Sequence, residues 1–167
     1  MKKLTLVRHA KSSWKYPELS DFDRPLNKRG KRDLPEVAQR LLEQEIIPDQ
    51  IFSSSAKRAM KTTEAISACL NLKGDQVQEI PELYEACAET IKYLLQNLPE
   101  SIRHIMIIGH NPGLERLCFD LTQEIPLKFP TAAVAHMHLS ITQWHELADG
   151  CATLTYFDYP KKHLPPK

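Results

Sequence analysis

The run HIMIIG at residues 104–109 constrains the fold more than any other stretch of the chain. Ile105, Met106, Ile107 and Ile108 leave no polar face, so a strand formed here must be covered on both sides. Such strands belong to parallel sheets with helices packed on each face. The remaining sequence offers suitable neighbours. LTLVR at 4–8 reads as a first buried strand, DQIFSS at 49–54 as a second and QVQEI at 76–80 as a third. AVAHMHLSI at 133–141 and ATLTYFDY at 152–159 alternate as two late strands.

Helical patterns fall between the strands. Asn27 is a plausible N-cap for a helix reaching about Glu45, with Leu34, Val37, Ala38, Leu41 and Leu42 as its apolar stripe. Pro35 predicts a kink or restart within it. Residues 56–70 place Ala59, Thr62, Thr63, Ile66 and Leu70 on one face, and 88–98 space Ile91, Leu94, Leu95 and Leu98 for a core. GLERLCFDLT at 113–122 follows Pro112 as a fourth helix. This order predicts a three-layer α/β/α sandwich with a mostly parallel central sheet. The length of 167 residues fits one domain, placed at 1–160, with 161–167 as an irregular tail.

Charge excludes some partners. Lys and Arg number 22 against 21 Asp and Glu, so nothing pulls the whole chain toward nucleic acid or a membrane, and any anion site must be local. The basic cluster KRGKR at 28–32 reads as a solvated helix start, and no run approaches transmembrane length. Met1-Lys2-Lys3 is followed by an apolar run too short for a secretory leader. Cys69, Cys87, Cys118 and Cys151 are widely spaced, which predicts reduced thiols and a cytoplasmic location.

Three strand ends share a feature. The first gives Arg8 and His9, the second leads to Arg58 in the following helix, and the fourth gives His110. In a parallel sheet these ends share one edge, where ligands bind. Arginines supply multidentate donors for a phosphoryl group. A histidine beside them is held neutral and nucleophilic. Phosphoryl transfer needs positioning and charge stabilisation, which Arg8, Arg58 and His110 can supply without a metal or other cofactor.

On these residues the chain resembles the histidine phosphatase superfamily, the group that includes cofactor-dependent phosphoglycerate mutases and acid phosphatases. It is most similar to the small SixA-type branch of phosphohistidine phosphatases. Arg8-His9-Ala10 stands for the family's R-H-G/A, PLNKRG for P-L-T-x-x-G, SSSAKRAMKTTE for S-x-x-x-R-A-x-x-T, and GHNP for G-H. The resemblance implies a phosphoglycerate mutase-like fold, phosphorylation of His9 during turnover, and a phosphate pocket at Arg8, Arg58 and His110. It implies as substrate a phosphohistidine on a protein, such as a phosphorelay component. The alternatives are a small-molecule phosphomonoester, a mutase reaction, or a catalytically silent phosphate-binding module.

An alkyl phosphomonoesterase needs a proton donor. Family members place a Glu in an L-x-E segment, which makes Glu85 the first candidate and Glu82 the second. Asn27 and Ser12 are expected beside the substrate, and Arg24 beside Asp21 and Asp23. Trp14 reads as a core anchor. His136 and His138 share a strand face as metal ligands can, but they lack a patterned partner, and the expectation is no metal site.

Overall fold

The structure, a computed structural model, describes residues 1–125 and 128–164. Its strands are β1 (Lys2–Arg8), β2 (Gln50–Ser53), β3 (Val77–Glu79), β4 (His104–Gly109), β5 (Val134–Leu139) and β6 (Ala152–Asp158). The helices are α1 (Lys28–Glu43), α2 (Lys57–Leu70), α3 (Ala88–Gln96) and α4 (Gly113–Thr122). One mixed sheet runs in the order β3-β2-β4-β1-β5-β6. The first four strands in that order are parallel, and β5 and β6 add an antiparallel edge.

All six residues of β4 are buried, as an unbroken apolar run requires. Ile105 and Ile107 face a core with Leu95, Leu114 and Leu117 of α3 and α4. Met106 and Ile108 face the opposite core with Leu34, Val37 and Ile66 of α1 and α2. Period-two alternation thus splits one strand between two helical layers. Truncating Ile107 to Ala would cost about 2–5 kcal/mol, because neither layer can collapse onto the sheet independently.

Asn27 begins α1 as expected, its side chain accepting from the Gly30 N–H at 2.8 Å. The helix then runs through Pro35 without restarting, and it stops at Glu43, two residues before Glu45 adopts a left-handed φ of 57°. Pro160–His163 form a single 3-10 turn, and residues 165–167 of the expected tail lie outside the described residues.

Register sets the site. Arg8 pairs with Gly109 across β1 and β4, and Ser53 pairs with Ile108 across β2 and β4. The residues that follow these strands, His9, Ser54 and His110, therefore emerge side by side at one sheet edge.

Candidate active site

His9 is fixed by its own backbone. Its N–H donates to the Gly109 carbonyl at 3.0 Å, and its carbonyl accepts from the Ala132 N–H at 3.0 Å. The ring Nδ1 lies 2.8 Å from the Ala10 carbonyl. A carbonyl can only accept, so Nδ1 carries the proton and Nε2 keeps its lone pair. The Ala10 N–H donates to Thr62 Oγ1 at 3.0 Å, anchoring this turn to α2. Burial pushes the His9 pKa down to about 3, with smaller contributions from His110, Arg58 and Arg8. His9 is neutral near pH 7.

The His110 ring centroid lies 5.1 Å from that of His9. Its Nε2 is 2.7 Å from Ser54 Oγ. Ser54 Oγ also accepts from the Ala56 N–H at 3.2 Å, and it has its own hydroxyl proton to donate to Nε2. His110 Nδ1 is buried and has no partner, and in the tautomer whose Nε2 accepts from Ser54 it carries the ring proton. Burial, then Arg58, pushes the His110 pKa down to about 4.

Two guanidinium groups complete the cluster. Arg8 Nη1 donates to the Phe129 carbonyl at 3.1 Å. Arg58 donates from Nη1 to the Asp21 carbonyl at 2.6 Å and from Nη2 to Asp21 Oδ2 at 3.0 Å. In both arginines Nε is buried without a partner. Among the described residues the unpartnered buried side-chain atoms belong to Arg8, Ser55, Arg58, His110 and Asn111, which lie at the end of β1, after β2 and β4, and in the first turn of α2. A buried donor left unpaired costs roughly 1–3 kcal/mol. Three such N–H groups around one nucleophilic imidazole suit a bound oxyanion.

A polar strap crosses this edge. Tyr84 donates its hydroxyl to Asp21 Oδ2 at 2.7 Å, and Arg24 Nε donates to Asp21 Oδ1 at 3.2 Å. Partial burial would raise the Asp21 pKa, yet the bonds from Tyr84, Arg58 and Arg24 bring it down to about 2. Burial and the Asp21 carboxylate push Tyr84 up to about 12. The Tyr84 ring stands edge-on to His110 at 5.6 Å and to Phe22 at 5.0 Å.

The other expected residues are placed unevenly. Glu85 is exposed, with a left-handed φ of 58°, and its charge acts on the Tyr84 hydroxyl, so it stands next to the strap. Glu82 is exposed on the 81–83 turn and makes no hydrogen bond among the described residues. Ser12 is buried and joined to Leu26 by an isolated backbone bridge. The side chain of Asn27 is engaged in capping α1. Arg24 pairs with Asp21, whereas Asp23 accepts from Ser20 instead.

Trp14 corrects the reading from sequence: it is 74% exposed, because the Arg24 guanidinium stacks on its ring at 3.5 Å and holds it outside the core. Sequence reasoning missed Thr62, Tyr84 and the Phe129 carbonyl. Thr62 is the threonine of the R-A-x-x-T run, so its signal was available.

At the opposite sheet edge, Thr5 Oγ1 lies 2.7 Å from both His104 Nε2 and His136 Nδ1. Among the described residues no three metal-ligating side chains form a cluster. No helix among them is long and apolar enough to cross a membrane.

The sequence profile of the histidine phosphatase superfamily, branch 1, matches residues 4–104. An uncharacterised chloroplastic protein of Arabidopsis thaliana is 33% identical over 154 residues, covering 87% of this chain and 70% of that one. The crystal structure of a SixA from Agrobacterium tumefaciens is 30% identical, covers 95% of this chain and 99% of its own, and superposes with a TM-score of 0.79. A protein histidine phosphatase SixA complexed with tungstate is 26% identical, with 96% and 98% coverage and a TM-score of 0.82.

Proposed function

Because the chain belongs to branch 1 of the histidine phosphatase superfamily and is a phosphatase of the small SixA type, we propose that it acts through a phosphohistidine on His9 and dephosphorylates phosphohistidine in proteins. The observation that carries this reading is the His9 ring, with Nδ1–H tied to the Ala10 carbonyl and Nε2 free among unpartnered donors.

In the first step Nε2 attacks phosphorus, a P–N bond forms, and the bond to the leaving group breaks. The phosphorylated His9 ring then carries substituents on both nitrogens and is cationic, a charge the Ala10 carbonyl stabilises through Nδ1–H. Water attacks next, and the electrons of the P–N bond return to Nε2. His9 leaves as neutral imidazole with its Nδ1 proton never lost, and the proton of the water goes to phosphate and solvent. Arg8, Arg58 and the Nδ1–H of His110 hold the equatorial oxygens in both steps. The similar SixA complexed with tungstate, a tetrahedral oxyanion, supports such a pocket in this fold.

A protein phosphohistidine protonated on its other ring nitrogen also leaves as neutral imidazole and needs no acid. Glu85, beside Tyr84, favours a second reading, hydrolysis of small phosphomonoesters with Glu85 as proton donor. A silent phosphate-binding module is disfavoured by the joint presence of His9, Arg58 and His110. The reading includes a reducing compartment such as the cytoplasm, supported by four free thiols.

The test compares phosphate release from a phosphohistidine protein, an aryl ester and an alkyl ester, with His9→Ala as control. The expected result is release from the phosphohistidine protein, acid-labile phosphate on the wild-type enzyme, and neither in His9→Ala. Turnover by His9→Ala at the wild-type rate would overturn the mechanism.

A further inference from the structure

The chain is nearly neutral, at +1, yet six of its 22 lysines and arginines line two adjoining depressions. A depression of about 690 Å³ beside the β1–α1 loop is rimmed by Lys15, Lys28, Arg29, Lys31 and Lys57, with Glu18 as its carboxylate. A second, of about 600 Å³, shares Pro25, Leu26, Lys31 and Lys57 with the first and adds Lys61 paired with Glu64 at 3.2 Å. The two make one trough whose floor is apolar, from Pro25, Leu26, Leu34 and Pro35. It begins next to the catalytic edge: the Asn27 N–H is bonded to the Lys11 carbonyl at 3.0 Å, and Lys57 precedes Arg58.

These cations work against the local structure. Lys28, Arg29 and Lys31 occupy the first turns of α1, and Lys57 the first position of α2; neither helix has an acidic residue in its first turn. Positive charge at a helix N-terminus is unfavourable. Lys15, Lys28, Lys31 and Lys57 form no ion pair among the described residues. A local rule broken without compensation marks a surface kept for another purpose.

Exposed apolar groups stand on the same β1–α1 loop, and two of them, Tyr16 and Leu19, line the first depression. Trp14, Tyr16, Leu19 and Phe22, at 74%, 46%, 37% and 37% exposure, are four of the ten large apolar side chains left exposed among the described residues. Trp14 is also held in place, its ring under Arg24, which donates to the Ser13 carbonyl at 3.2 Å. Fixed aromatic anchors with surrounding cations are features of protein-binding hot spots.

We propose that this trough docks an acidic amphipathic helix of the protein that presents phosphohistidine to His9, an inference that rests on the protein-substrate reading above. Apolar side chains of the helix would lie on the Pro25–Leu26–Leu34 floor, and its carboxylates would meet the lysine rims. A single-stranded nucleic acid fits less well, because Tyr16 is the one aromatic residue among those lining the two depressions.

The probes are two synthetic helices of about 20 residues, each with one phosphohistidine, flanked in one by glutamates and in the other by lysines. Each is titrated onto His9→Ala protein, and the anisotropy of a label on the helix reads binding. The acidic helix should bind about tenfold or more tighter than the basic one, and weaken as salt rises. Lys28→Glu combined with Lys57→Glu, and separately Trp14→Ala, should each cut that affinity roughly tenfold. Circular dichroism checks that the variants fold.

With His9 present, the double lysine reversal should hydrolyse free phosphohistidine within about twofold of wild type, since neither lysine touches the phosphate pocket. Equal binding of the two helices, or affinity unchanged by the lysine reversals, overturns the docking surface. So does an oligonucleotide that displaces the acidic helix and loses its own affinity in the same variants. If free phosphohistidine is hydrolysed but the helices bind alike, the docking inference fails and the phosphatase reading stands. If the acidic helix binds as expected and no phosphohistidine is turned over, the docking surface stands and the substrate reading fails.

Discussion

Asp21 occupies both terminal nitrogens of Arg58, its carbonyl accepting from Nη1 at 2.6 Å and its carboxylate from Nη2 at 3.0 Å. Arg58 thus has its buried Nε free to face a phosphoryl group. Asp21 is a positioning residue, because it acts by orienting the guanidinium. Asp21→Asn should lower kcat/KM by roughly tenfold or more through misplacement of that donor. The loss should appear for aryl phosphate and phosphohistidine alike, measured by phosphate release. Equal rates in Asp21→Asn and wild type would leave Asp21 with no part in the reaction.

The pH profile of kcat/KM follows from two depressed histidines. Burial brings His9 down to about 3 and His110 to about 4. Both are therefore already neutral at pH 6, where an ordinary histidine is substantially protonated. The acid limb should fall below about pH 4 rather than near 6.5. Short initial-rate assays, on protein shown by circular dichroism to be folded, check this.

Stability should have a different pH dependence. Burial and then the neighbouring His136 hold His104 at about 3, and burial with His138 holds His136 at about 4. Both are lowered from the unfolded value near 6.5, so below that pH the unfolded chain binds protons first. Stability should fall as pH drops from about 6.5 toward the folded values, by up to about 1.4 kcal/mol per pH unit for each histidine. Urea midpoints between pH 7 and 5 test the sign. Thr5→Val, which removes the hydroxyl bridging the two rings, should cost about 1–3 kcal/mol at pH 7.

Leaving-group chemistry separates the two carboxylates. Glu85→Gln should slow alkyl ester hydrolysis by about a hundredfold or more and leave phosphohistidine hydrolysis nearly unchanged. Glu82→Gln should alter neither. Parallel assays on the two substrates decide, and an equal loss on both would make Glu85 a structural residue.

Gly30 explains the glycine of PLNKRG. A Cβ there would meet the Lys11 carbonyl oxygen at 2.2 Å, so α1 can lie against the loop after His9 only without a side chain. Gly30→Ala should destabilise by about 1–3 kcal/mol in urea denaturation and also lower activity, since the displaced loop carries His9.

Much of this was legible from pattern. The apolar run 104–109 is β4 to the residue, and 113–122 is α4, because burial of one face or two leaves a periodic trace. Arg8, His9, Arg58 and His110 gather at one edge because parallel register carries strand ends there. The strap was not legible. It joins Asp21, Arg58 and Tyr84 from three separate segments, and no periodicity encodes a hydrogen bond between loops. The position of Trp14 failed for a related reason. A tryptophan is ordinarily a core residue, and what holds it outside is a guanidinium ten residues along the chain.

The pairing of Arg8 with Gly109 has a consequence for the order of synthesis. His9 precedes its backbone partner Gly109 and its neighbour His110 by about a hundred residues, so it is made well before them. Over that interval a growing chain holds His9 without the neighbours that surround it in the folded protein. The proposed site is complete only once β4 pairs with β1, so a product that stops short of that strand should hold His9 and show no phosphatase activity.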